Sequence, residues 1–106
     1  MKAYVWITTS FEAWHHWDNA PDVVPYLRDN HRHIFHVKLW REVQKQDREI
    51  EFITLKHEVD DFIDRKYKGQ SFPYSCEMIA ADLLEYFQAS IVEVSEDGEN
   101  GARIEG

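Results

Sequence analysis

Apolar residues alternate with polar ones at the start of the chain. Ala3, Val5, Ile7, Phe11 and Ala13 share one parity, the two-residue period of a strand with one buried face. The segment from Lys2 to His15 is therefore predicted as a strand. Asn19, Pro21 and Pro25 break the pattern between Asp18 and Asp29, and prolines exclude a regular central strand there, so a loop is expected. A second strand follows, in which His31, His33, Phe35, Val37 and Leu39 alternate with Arg32, Ile34, His36, Lys38 and Trp40. Beyond polar Gln44 to Arg48, the short run from Glu49 to Ile53 is expected to continue or end the sheet. The period then changes. With Thr54 as N-cap, Leu55, Val59, Phe62 and Ile63 recur at helical spacing until about Tyr67. Lys68 to Pro73 reads as a loop, and Ser75 caps a second helix carrying Met78, Ile79, Ala80, Leu83, Leu84 and Phe87. Ile91, Val92 and Val94 suggest a third strand, and Asp97 to Gly101 a turn into a final strand around Ala102 to Ile104. The order ββααββ describes an α+β layer: a four-stranded antiparallel sheet with two helices on one face, residues 1–106 forming a single domain. Such a sheet has two open edges, which subunits pairing edge to edge would cover.

Composition narrows the function classes. With 43% hydrophobic residues, four Trp, five Tyr and six Phe in 106 residues, the chain has ample material for one core. Its formal charge of −8 repels phosphate backbones and anionic lipid, so neither nucleic acid nor a membrane is an expected partner. Cys76 is the single cysteine, which excludes an internal disulfide and suits a reducing compartment. The opening residues lack the apolar core of a signal peptide, and no apolar stretch reaches about 18 residues. A soluble, cytoplasmic protein is expected.

Chemistry enters with the histidines. Residues two apart on a strand point to the same side, so His31 and His33 can reach one metal ion. His15, sharing parity with Phe11 and Ala13, supplies a third imidazole if the first two strands form a hairpin. Three neutral imidazoles with a fourth position open are the arrangement of a catalytic zinc. The spacing alone fits equally well a set of surface or core histidines without metal. His16 and His36 have the opposite parity and are expected on the outer face or in a loop.

Five segments, in order, resemble the tunnelling-fold family of pyruvoyl- and carboxy-tetrahydropterin synthases. Phe11-Glu12-Ala13-Trp14-His15 is similar to the family's Phe-x-Ala-x-His, and His31-Arg32-His33 to its His-Gly-His, with Arg32 in place of glycine. Glu51-Phe52-Ile53-Thr54-Leu55-Lys56 resembles Asp-Phe-x-x-Leu-Lys, Tyr74-Ser75-Cys76-Glu77 resembles Pro-Thr-x-Glu, and Val92-Glu93-Val94-Ser95-Glu96 resembles Val-x-Val-x-Glu. The resemblance implies a tunnelling fold whose subunits join into a barrel as a trimer or hexamer, with Zn2+ on His15, His31 and His33. It further implies recognition of a pterin ring by Glu96, with Glu77 beside the site. A carboxylate suits that task, since its two acceptor oxygens pair with adjacent N–H donors of a guanidine-like edge. Glu77 equally suits the first turn of a helix, where negative charge is favoured.

Two departures bear on activity. The family's catalytic cysteine precedes His-Gly-His, where this chain has Tyr26-Leu27-Arg28-Asp29-Asn30; its Leu-Asp-His relay is replaced by Lys66-Tyr67-Lys68. Cys76 is expected to be a buried small residue. The implied activity is a zinc-assisted lyase or synthase acting on a reduced pterin such as dihydroneopterin triphosphate, with Asp29, Glu12 or a zinc-bound hydroxide as the candidate base. The alternatives are a non-catalytic pterin- or purine-like ligand binder, and a ring protein whose metal only stabilises it.

Overall fold

A computed structural model describes residues 1–106, and in it the first two runs of alternation form a long antiparallel hairpin. Strand β1 (Ala3–His15) pairs with β2 (His31–Val43) from Ala3 opposite Val43 through to His15 opposite His31. The predicted inner positions are the buried ones: Ile7, Phe11 and Ala13 on β1, and Phe35, Val37 and Leu39 on β2. The proline-bearing connection contains only a short 3-10 turn, Pro25–Arg28.

Helix α1 (Phe52–Lys66) begins earlier than expected. Glu51, not Thr54, is its N-cap, accepting hydrogen bonds from the Ile53 and Thr54 amides at 3.1 and 2.6 Å. A carboxylate there satisfies two of the orphan amides and faces the positive end of the helix. The run Glu49 to Ile53 consequently does not extend the sheet, and Phe52 and Ile53 lie exposed on the first turn. The expected face, Leu55, Val59, Phe62 and Ile63, is buried.

The segment expected to be wholly loop after α1 contains strand β3 (Ser71–Phe72), which pairs parallel with Trp14 and His15. Gly69, at φ +72°, turns the chain back along β1, a conformation glycine adopts without steric cost. Its amide donates to the Glu12 carbonyl at 2.8 Å, and the His16 amide donates to the Phe72 carbonyl at 3.2 Å. Phe72 thereby buries its ring.

Helix α2 (Cys76–Phe87) is capped by Ser75, whose hydroxyl accepts from the Met78 amide at 3.1 Å. Ile79, Ala80 and Leu83 are buried as predicted, whereas Met78 faces solvent. Strands β4 (Ile91–Glu96) and β5 (Asn100–Glu105) form a hairpin, and β4 pairs antiparallel with β2. The sheet therefore has five strands in the order β3-β1-β2-β4-β5, with one parallel pair, instead of four antiparallel strands.

Helix α1 packs on β1, and α2 on β4 and β5. Their apolar faces join the inner faces of the strands in one core of 19 buried residues. The opposite sheet face is polar and aromatic, with Lys38 Nζ lying 4.3 Å from the Trp6 ring and 4.7 Å from the Trp40 ring. No helix is long and apolar enough to cross a membrane.

Candidate metal centre and adjoining cavity

The ends of three strands meet at one place on the inner face of the sheet. His15 closes β1 directly opposite His31, the first residue of β2, and His33 lies one pleat further along. The imidazole centroids are 4.5 Å apart for His15 and His31, 4.9 Å for His31 and His33, and 5.2 Å for His15 and His33. Glu96 ends β4 opposite Phe35. It shares parity with buried Val92 and Val94, so its carboxylate turns to the same side as the histidines. One ligating atom from each of His15, His31, His33 and Glu96 lies within 4.8 Å of the others. The Phe35 ring forms the floor, 5.1 Å from His15 and 5.8 Å from His33 between centroids.

Each ring is held in the same tautomer by an acceptor on its outer side. His15 Nδ1 lies 2.9 Å from the Tyr74 carbonyl, His31 Nδ1 2.8 Å from the Asp29 carbonyl, and His33 Nδ1 2.7 Å from Asp97 Oδ2. Carbonyl and carboxylate oxygens only accept, so each Nδ1 donates and each neutral ring keeps its lone pair on Nε2. The His15 Nε2 is buried, has no hydrogen-bond partner, and stands 2.8 Å from Glu96 Oε2. A buried ring nitrogen with a free lone pair and a carboxylate at its side is a place that would accommodate a cation. The donor set therefore fits a divalent metal ion: three imidazole nitrogens fixed from behind, with a carboxylate beside them.

Burial lowers the pKa of His15 more than the Tyr74 carbonyl and the Glu96 carboxylate raise it, which favours the neutral, ligating ring. The Asp97 carboxyl is held below its usual range, first by the Ile34 amide and then by His33. Desolvation pushes the buried Cys76 thiol up to about 12.

Beside this cluster opens a cavity of about 530 Å³, lined in part by His15, His31, Trp17, Leu27, Tyr74 and Glu96. Cys76 and Glu77, from the first turn of α2, also line it, and no lysine or arginine does. Glu77 is exposed at the rim, apart from the four clustered groups. His16, expected on the outer face or in a loop, lies in the loop just after β1 and lines this cavity too, while His36 is exposed on the far side of the sheet.

Neither candidate carboxylate base sits well. The Glu12 carboxylate points to the opposite sheet face and is bound by Arg32, at 2.7 Å from Nε and 2.6 Å from Nη2. Asp29 is exposed, and its backbone carbonyl is what touches the cluster, through His31. Tyr67, in the segment matching the missing relay, is buried with its hydroxyl tied to Asp82.

No protein-family model and no curated protein matches the sequence. Solved structures do match its fold. An uncharacterized protein, WS1659 from Wolinella succinogenes, superposes with a TM-score of 0.83 at 15% identity, over 100% of this chain and 99% of its own. The 6-pyruvoyl tetrahydropterin synthase of Caenorhabditis elegans superposes with a TM-score of 0.80 at 15% identity, over 100% of this chain and 96% of its own. The chain thus has the fold of a pterin synthase along its whole length.

Proposed function

We propose that this protein is a zinc-dependent, synthase- or lyase-type protein acting on a reduced pterin. The observation that carries the proposal is the cluster of His15, His31 and His33, each ring fixed by an acceptor behind it, beside a cavity in a pterin-synthase fold. Three imidazoles with an adjacent carboxylate favour zinc over magnesium or calcium, which prefer all-oxygen sites. Zinc bound there would polarise side-chain oxygens of the pterin and make a neighbouring proton easier to remove.

In this reading His15, His31 and His33 hold the ion. Glu96, between cluster and cavity, takes the guanidine-like edge of the ring, with Glu77 at the rim as a neighbour. Trp17 and Tyr74 offer aromatic surface for the ring to lie against. With two carboxylates and no cationic side chain lining the cavity, zinc would be the one strong positive charge that a phosphorylated side chain meets there. Self-association as a trimer or hexamer would cover the outer edges of β5 and of most of β1, which have no strand partner here. Light scattering on the purified protein reads that number.

A second reading, a non-catalytic pterin- or purine-like ligand binder with the same metal site, is favoured by two observations. The Cys76 thiol, with its pKa raised to about 12, is no nucleophile or base at neutral pH, and Glu12 is engaged elsewhere. Incubating zinc-loaded protein with dihydroneopterin and its triphosphate, and measuring both product and equilibrium binding, separates the two. Product supports the enzyme, binding without product supports the binder, and absence of both rejects the pterin reading.

A further inference from the structure

We infer that Asp97 is the positioning residue of this centre: its carboxylate locks the His33 ring with the proton on Nδ1 and the Nε2 lone pair turned toward the other ligands. The effect on metal affinity rests on the zinc reading above; the hold on the ring does not.

Asp97 lies in the turn between β4 and β5, directly after Glu96. It has φ +56° and is followed by Gly98 at φ +73°, with the Glu99 amide closing the turn onto the Glu96 carbonyl at 3.0 Å. Three hydrogen bonds tie it to β2. Its amide donates to the Ile34 carbonyl at 2.8 Å. Its Oδ1 accepts from the Ile34 amide at 2.9 Å, and its Oδ2 accepts from His33 Nδ1 at 2.7 Å. One oxygen is thus fixed to the backbone beside His33 while the other meets the ring.

Both partners are donors, so the position needs two acceptors, which a carboxylate has and a carboxamide lacks. If Asn kept its oxygen on the Ile34 amide, it would present an N–H to His33. The ring would answer by accepting at Nδ1 and carrying its proton on Nε2, where it can no longer ligate. The rings of His15 and His31 rest instead on backbone carbonyls, which no substitution removes. Asp97 is therefore the place where ring orientation can be tested by mutation. Asn tolerates the left-handed conformation and Gly adopts it freely, so D97N and D97G both preserve the turn.

The test uses metal-stripped, full-length protein with 15N-labelled histidine at about pH 8, where an ordinary imidazole with a pKa of about 6.5 is neutral. Imidazole nitrogen shifts should show His33 as the Nδ1–H tautomer in the wild type, as Nε2–H in D97N and as a mixture in D97G. Zinc competition against a chromogenic chelator should then give affinities roughly 10- to 100-fold weaker in both variants, the usual cost of losing such an outer partner. An unchanged His33 tautomer in both variants overturns the inference, as does an altered tautomer with zinc affinity within twofold of the wild type. A wild type that binds no zinc, with the tautomer still changing in D97N, rejects the metal reading and retains the hold of Asp97 on His33. If D97N does not fold, D97G supplies both readouts.

Discussion

Replacing Glu96 with Gln is expected to stabilise the metal-free protein. In the wild type the buried His15 Nε2 has no hydrogen bond, and it lies 2.8 Å from Glu96 Oε2. With the His15 proton committed to the Tyr74 carbonyl, both groups present lone pairs. A glutamine amide can turn its N–H₂ toward that nitrogen. The gain is the relief of one buried unsatisfied acceptor, about 1–2 kcal/mol, in the lower part of the range for such groups. For a domain of this size that corresponds to a rise in Tm of roughly 4–15 °C. The assay is thermal melting by circular dichroism at about pH 8 with excess chelator, then with zinc. E96Q should melt higher than the wild type without metal and gain less when zinc is added, because a neutral amide is a weaker neighbour for the cation. Acidification should narrow the difference, since a protonated His15 restores an ion pair in the wild type alone. An E96Q protein that melts at or below the wild type in chelator refutes the tautomer assignment on which this rests.

Three further outcomes follow from the same geometry. His15 has a lowered pKa, chiefly from burial, so the unfolded chain binds more protons just below pH 6.5. Stability of the metal-free protein should be full above about that pH and fall as acid carries it through the lower folded value; urea midpoints at about pH 7.5 and 5.5 measure it, and H15Q should flatten the trend. Cys76, with its thiol raised to about 12, should react with iodoacetamide far more slowly at neutral pH than a free thiol, and C76S should leave any turnover unchanged; fast labelling or lost turnover would assign it a chemical role. Phe35→Ala removes a fully buried ring that stacks on Phe11 at 5.2 Å and floors the histidine cluster. It should cost about 3–5 kcal/mol in urea unfolding and weaken zinc binding as well, whereas a cost below 1 kcal/mol would mean the floor is not packed.

Much of the fold could be read from periodicity, because each long element buries one face. The parity of Ala3 to Ala13 and of His31 to Leu39 located both strands of the hairpin, and with it the meeting of His15, His31 and His33. Short elements carried no such signal. Ser71–Phe72 is too brief to show a period, and its pairing depends on the turn at Gly69 and on the exposed edge of β1. The start of α1 was hidden because Phe52 and Ile53 look like strand residues, while the capping atom belongs to Glu51, a residue type less usual at that position. At the site, the inward parity of Glu96 with Val92 and Val94 was visible, but its contact with His15 depends on β4 pairing with β2. Asp97 was legible only as a turn residue, since its bonds to His33 and Ile34 span 64 and 63 positions of sequence.

X-ray absorption at the zinc edge, on protein reconstituted with one equivalent of zinc and freed of excess, reads the coordination shell itself. Three imidazole nitrogens at about 2.0–2.1 Å, lost in a protein carrying alanine at His15, His31 and His33, are the expected result. A shell of oxygens alone, or a wild-type chain that retains no stoichiometric zinc, would contradict it.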